Sequence, residues 1–327
     1  MNGGARLAGI VLLLIASALA QQAPSLPPPQ VQDGPSPLGA PPAPAEEKTP
    51  TFKVDVKLVN VFVTVTDQNG APVSTLKKED FRVFEDGISQ NIAVFDRESQ
   101  LPLSIVLGID TSLSTRKDLP LELDAARRFA QEIMRPVDRM SVYTFSEVVH
   151  EVLPFTADLR RIDRTIGGIR HGSATALYDA IYLASGALEK REGRKVLVLI
   201  SDGGDTVSRT DYHEALRTAQ EAEAIVYSII VVPVEASAGR DLGGEHALIQ
   251  ISRDTGGKYY YASSIATLNQ AFRQISEELR TQYLLAYYPS RRLASSDFRH
   301  IEVKIHSAAG SPLQVRHRTG YYTSKSR

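Results

Sequence analysis

The stretch Ser104-Ile105-Val106-Leu107-Gly108-Ile109-Asp110-Thr111-Ser112-Leu113-Ser114 constrains this chain more than any other. It is a short, branched apolar run that stops on an aspartate followed by two alternating hydroxyls. Such a run reads as a strand buried on both faces, as in a parallel sheet covered by helices. Asp110 then stands at the strand's carboxyl end, the edge outside which open α/β sheets bind their ligands. One carboxylate and two neutral hydroxyls at that edge suit a hard divalent cation.

Two later stretches complete an oxygen-rich set. Thr175 opens a long helical pattern after the turn-rich His171-Gly172-Ser173-Ala174, and Asp202 ends a second buried strand running from Lys195 toward Gly203-Gly204. Five oxygen donors from three loops thus converge on one expected sheet edge. At this point the chain resembles the von Willebrand factor type A family. There, Asp-x-Ser-x-Ser, a distant Thr and a more distant Asp form the metal-ion-dependent adhesion site. The resemblance maps that site onto Asp110, Ser112, Ser114, Thr175 and Asp202. It implies Ser112, Ser114 and Thr175 as hydroxyl ligands, with Asp110 and Asp202 often acting through bound waters.

A cation held mainly by hydroxyls and water stays electrophilic and seeks one more anionic oxygen, such as an Asp or Glu of a protein partner. Octahedral coordination that retains waters suits Mg²⁺ better than Ca²⁺, with Mn²⁺ as a further candidate. The competing reading is a metal-free domain of the same fold. Around the five, Asp205 and Asp179 read either as supports for the ligands or as solvated and helix-start charges. His171 reads as a loop histidine, and Tyr259-Tyr260-Tyr261 as strand residues alternating between core and surface rather than a binding platform.

The chain begins Met1-Asn2-Gly3-Gly4-Ala5-Arg6, runs apolar from Leu7 to Ala20, and reaches Ala18-Leu19-Ala20. A basic start, a short apolar core and an Ala-x-Ala exit predict a cleaved secretory signal over residues 1–20, hence a periplasmic or extracellular protein. No other stretch is apolar and long enough to span a bilayer. There is no cysteine, so export is expected without disulfides. A net charge of −1 gives no electrostatic case for nucleic acid.

Residues 21–50 are dominated by proline with Ala, Gln, Ser and Gly, the composition of a solvated spacer. From 51 to 98 a β-rich module is expected. Val59, Val61, Val63 and Val65 alternate after a phase slip from Val54, Val56 and Leu58, Asn69-Gly70 marks a turn, and Asp80–Ile88 and Asn91–Phe95 read as strands joined by an Asp-Gly hairpin. Residues 101–282 then alternate strand and helix, which implies a doubly wound, mostly parallel sheet. Helices are predicted over Leu119–Met134, Leu159–Ile169, Thr175–Arg191, from the capping-box spacing of Asp211-Tyr212-His213-Glu214 to about Glu223, from about Gly244 to Thr255, and over Leu268–Leu279. Residues 283–323 return to alternating β.

Neither β flank looks self-sufficient. The expected fold class is therefore α/β, a doubly wound sheet inserted into a small discontinuous β-sandwich built from both flanks. Val61-x-Val63-Thr64-Val65-Thr66-Asp67, Leu76-x-x-Glu79-Asp80-Phe81-x-Val83-x-Glu85-Asp86-Gly87 and Gly320-Tyr321-Tyr322 resemble the exported von Willebrand A-related proteins abundant in Acidobacteria.

Enzymatic readings find little support. Asp110-Thr111-Ser112 resembles the start of an aspartyl-nucleophile phosphatase, but Ser112 stands where a second acid belongs. Ser114-Thr115-Arg116-Lys117 matches Ser-x-x-Lys, yet no Lys-Thr-Gly accompanies it. Gly-x-Ser-x-Gly, His-Glu-x-x-His and a phosphate loop are all missing. The leading expectation is a non-enzymatic adhesion module that captures a partner's carboxylate through a divalent cation. The alternative is a structural scaffold of an envelope or secretion assembly without metal-dependent binding.

Overall fold

A computed structural model describes residues 58–97, 100–113, 119–232, 242–291, 298–306 and 312–323. The expected signal and spacer, the first residues of the N-terminal module and Ser114 lie outside the described residues. The chain enters through β1 (Val59–Thr66), whose four alternating valines are all buried. It continues through β2 (Phe81–Glu85), β3 (Ile88–Gln90) and β4 (Ile92–Arg97). Asp86 (φ 48°) and Gly87 (φ 79°) both take positive φ, as a two-residue I′ hairpin turn requires. That turn joins β2 to the short β3. The two strands expected here are therefore three, because the chain breaks after Gln90 and β4 joins a different sheet.

The α/β region follows, with β5 (Leu103–Asp110), α1 (Leu119–Ile133), β6 (Arg139–Phe145), β7 (Val149–Thr156), α2 (Leu159–Gly167), α3 (Leu177–Glu189) and β8 (Arg194–Ser201). It is completed by α4 (Tyr212–Glu221), β9 (Ala224–Val231), α5 (Leu242–Asp254), β10 (Tyr259–Ala262) and α6 (Ile265–Thr281). The six strands run in the order β10-β9-β8-β5-β6-β7, all parallel except the antiparallel edge β7. All eight residues of β5 are buried, because helices cover both faces. Ile105, Leu107 and Ile109 pack toward α1, α2 and α6, while Val106 packs toward α3, α4 and α5. The expected fold class holds: a doubly wound, mostly parallel sheet carried by a β-rich frame.

That frame is built from β11 (Tyr283–Tyr287), β12 (Phe298–Ile305), β13 (Gln314–Arg316) and β14 (Gly320–Tyr322) together with the N-terminal strands. One sheet has the order β13-β1-β11-β4 and the other β14-β12-β2-β3, so each mixes strands from both ends of the chain. One apolar cluster spans the two, including Val61, Val63, Phe81, Val83, Leu285, Ile301, Val303 and Tyr321. A carboxylate is buried with them. Glu85 accepts from Arg299 Nη1 at 2.5 Å through Oε1, and from the hydroxyls of Tyr287 (2.8 Å) and Tyr321 (2.9 Å) through Oε2.

A single residue, Gln282, separates α6 from β11, and it is buried. Its Nε2 donates to Thr64 Oγ1 of β1 at 3.1 Å, and its Oε1 faces Nη1 of Arg194, which also donates to the Leu279 carbonyl. A second bridge runs from β13 to α6, where Arg316 Nη2 stands 2.7 Å from Glu278 Oε2. The helical layer and the frame are thus held by polar bonds as well as by chain connectivity.

Glu85→Gln keeps the shape but strands the buried Arg299 without its counter-charge, and is expected to destabilise the protein by about 3 kcal/mol in urea unfolding. Truncation after Tyr288 removes β12, β13 and β14 and uncovers the apolar faces of β1 and β2. Limited proteolysis should then cut within residues 58–97; continued protection there would show that the N-terminal strands do not depend on the C-terminal ones.

Candidate metal centre

The carboxyl ends of β5 and β8 adjoin in register and build the floor of the candidate site. Asp110, the last residue of β5, is wholly buried. Its Oδ1 accepts the Ser112 amide at 2.9 Å and its Oδ2 accepts the Ser201 hydroxyl at 2.7 Å. Burial pushes its carboxyl up to about 6, against the pull of Ser112 and Ser201 and with a further push from nearby Asp202. Ser201 Oγ accepts in turn from the Gly203 amide at 3.1 Å, so one hydroxyl connects the β5 aspartate to the loop that carries Asp202. Asp202 is half-buried and its Oδ1 accepts the Gly204 amide at 3.2 Å.

The loop after β5 is fastened to its neighbours through backbone groups. The Thr111 amide donates to the Phe145 carbonyl at the end of β6, Gly172 N–H donates to the Thr111 carbonyl at 2.8 Å, and Leu113 N–H to the Ser173 carbonyl. These bonds lay residues 172–175 alongside 111–113. The Ser173 amide donates to Glu147 Oε2 at 2.9 Å, which holds that carboxyl down to about 2. Ser112 and Thr175 are both buried.

Thr175 does not open the helix, as its sequence pattern suggests. Its N–H donates to Thr206 Oγ1 at 3.0 Å, and its carbonyl accepts from the amides of Thr206 and Val207. Its backbone is spent on the 205–210 loop, so α3 starts two residues later. Asp205 supplies that helix with a remote cap: Oδ1 accepts the Leu177 amide at 2.8 Å and the Ser208 hydroxyl. Asp179 reciprocates from the first turn of α3, accepting from the amides of Thr210 (2.8 Å) and Arg209 (3.1 Å). Partial burial works against this carboxylate, but those amides keep it below the ordinary range. Both aspartates therefore position the Thr175 and Asp202 loops relative to each other, rather than being merely solvated.

The Asp202 loop is also held from above. Gly203 has φ +94°, and a Cβ on Gly244 would lie 1.5 Å from the Gly203 carbonyl oxygen, so the loop presses on the first turn of α5. His171 is exposed on its loop. Tyr260 is buried and Tyr261 exposed, the alternation a strand demands.

Asp110, Ser112, Thr175 and Asp202 thus occupy adjoining loops of one edge; Ser114 lies outside the described residues. The donors are all oxygen, with hydroxyls interspersed among carboxylates, which fits a small hard cation. Among the described residues no group of three His, Cys, Asp or Glu side chains is placed to hold a metal ion. Ser201 escaped the sequence reading. Its signal was a lone hydroxyl at the end of an otherwise apolar strand, adjacent to Asp202.

Residues 105–204 match the family model of the von Willebrand factor type A domain, and the chain carries such a domain, a module type used in protein interaction and adhesion. Similar solved structures include the conserved hypothetical protein BatB from Bacteroides thetaiotaomicron, 22% identical over 55% of this chain and 100% of that one, with a TM-score of 0.44. The vWF domain of the type V pili tip protein Mfa5 from Porphyromonas gingivalis is 14% identical, covering 55% of this chain and 95% of its own, with a TM-score of 0.43. A von Willebrand factor type A protein from Catenulispora acidiphila is 12% identical over 82% of this chain and 75% of its own, with a TM-score of 0.49. No curated protein matches the chain. Among the described residues no helix is long and apolar enough to cross a membrane.

Because the folded state holds a proton on Asp110 more tightly than the unfolded chain does, its contribution to stability is fully present below about pH 4. That contribution is lost as pH rises through about 6. In chelator, the loss between those limits should reach about 3 kcal/mol. Asp110→Asn removes it, so the difference in unfolding free energy between wild type and variant should change by about that amount from pH 4 to pH 7; a constant difference would exclude it.

Proposed function

We propose that this protein is an exported, non-enzymatic binding module that captures a protein partner through a divalent cation, Mg²⁺ foremost. Asp110, Ser112, Ser114, Thr175 and Asp202 would hold the ion, directly or through water. The partner would complete its coordination with an Asp or Glu carboxylate. When bound, the ion supplies Lewis acidity toward an anionic oxygen; the chain's own residues supply its position.

The observation that carries this reading is the fixation of Asp110. Both of its oxygens are engaged by the loops that also carry Ser112 and Asp202, and Thr175 is pinned to the same edge by Thr206. A carboxylate buried at this depth, aligned with hydroxyls on adjoining loops, is an arrangement that packing alone does not require. Export rests on the signal-like first 20 residues.

A ligand that binds only the folded state stabilises it by about 2.7 kcal/mol at a hundredfold excess over Kd. Millimolar Mg²⁺ should therefore raise the melting temperature of the wild-type chain and leave that of Asp110→Ala unchanged, as read by differential scanning fluorimetry with and without EDTA. Equal responses from the two proteins would exclude the site.

A further inference from the structure

The edge that carries the candidate metal centre is also edged with apolar side chains that face solvent. Leu113 is 55% exposed, Val148 52%, Val207 44% and Leu242 69%. Each belongs to a different segment of the site. Leu113 follows the buried Ser112, and its amide is bonded to Ser173. Val148 sits in the β6–β7 turn beside Glu147, whose carboxylate holds the Ser173 amide. Val207 donates its amide to the Thr175 carbonyl at 3.2 Å. Leu242 heads α5, two residues before the glycine that presses on Gly203.

Large aliphatic side chains on four separate segments, all beside one polar centre, face solvent rather than the core. Leu113, Val148 and Val207 are held in place by backbone bonds, so presenting them costs little ordering on binding. Two cations at this edge, Arg170 and Arg209, are exposed on the segments that lead to Thr175 and follow Asp202, alongside the acidic Glu147, Asp202 and Asp205. An apolar collar that excludes water would also strengthen a carboxylate's attraction to a cation at the centre.

We infer that the partner presents its carboxylate from within an apolar segment, as an Asp or Glu flanked on both sides by aliphatic or aromatic residues. This inference rests on the cation reading above and specifies the ligand for the same site. The carboxylate supplies the anchor, and the flanking side chains settle on Leu113 and Val148, both beside Ser173, on one side and on Val207 and Leu242, beside the Asp202 loop, on the other. Burying one aliphatic flank should favour a peptide about tenfold over the same peptide with serine there.

The full chain can be probed with immobilised octapeptides that carry Asp, Glu, Asn or Gln at a fixed central position and randomised flanks, in Mg²⁺ and in EDTA. The expected result is Mg²⁺-dependent selection of acidic centres with Leu, Ile, Val or Phe enriched about tenfold beside them. In the double variant Leu113→Ser, Val207→Ser that enrichment should fall to near background, while the melting temperature and the Mg²⁺ response stay at wild-type values. Mg²⁺-dependent capture of acidic peptides without apolar flanks, or a flank preference unchanged in the double variant, overturns this inference and leaves the cation reading standing. Selection that is indifferent to Mg²⁺ and to the central acid overturns both.

Discussion

A carboxylate without exposed surface has to be held by the protein rather than by water, and at Asp110 the holders are the amide of Ser112 and the hydroxyl of Ser201. Much of the surrounding edge is arranged around this constraint. Ser112 is reached only because β5 ends where it does, and Ser201 only because β8 lies parallel to β5 in register. The same hydroxyl accepts from Gly203, which places the Asp202 loop. Removing Ser201 would leave Asp110 with one partner fewer and free the loop next to it. The sheet therefore acts less as a scaffold on which a site is mounted than as the device that sets the positions of these oxygens.

Much of this was legible from residues alone. An apolar stretch as branched as Ile105–Ile109, closed on both sides by helical patterns, has few alternatives to a central parallel strand. The alternation in Val59–Val65 and Ile301–Ile305 likewise revealed two incomplete faces that needed each other. What stayed hidden depended on partners far along the chain. Thr175 looks like a helix start until its backbone is seen bonded to Thr206, thirty-one residues on. Asp205 and Asp179 look like surface charges until the 205–210 loop folds over α3. The passage of β4 into the opposite sheet follows from pairing with β11, nearly two hundred residues away, which local pattern does not encode. Ser201 is the instructive case: a hydroxyl ending a strand carries no periodic signal, and its role appears only when two strand ends meet.

The β frame follows a different rule from the sheet it carries. Its core contains a carboxylate and a guanidinium, Glu85 and Arg299, with two tyrosine hydroxyls completing the carboxylate's bonds. Apolar packing alone would tolerate slippage between strands drawn from opposite ends of the chain. A bonded cluster shared by β2, β11, β12 and β14 is satisfied in one register only, and a half-formed version is costly because it leaves charge buried. In this way the ends of the chain are matched to each other.

The one-residue junction at Gln282 has a mechanical consequence. The chain enters the helical layer from β4 into β5 and leaves it from α6 into β11, both at the amino edge of the central sheet, opposite the edge that bears Asp110 and Asp202. A pull applied to something held at the oxygen-rich edge and resisted at the β frame would run nearly along the axes of β5 and β8. Ladder bonds loaded in that direction shear together instead of unzipping one at a time, and α6, joined to the frame without slack, has no length of loose chain to pay out before the strands bear the load.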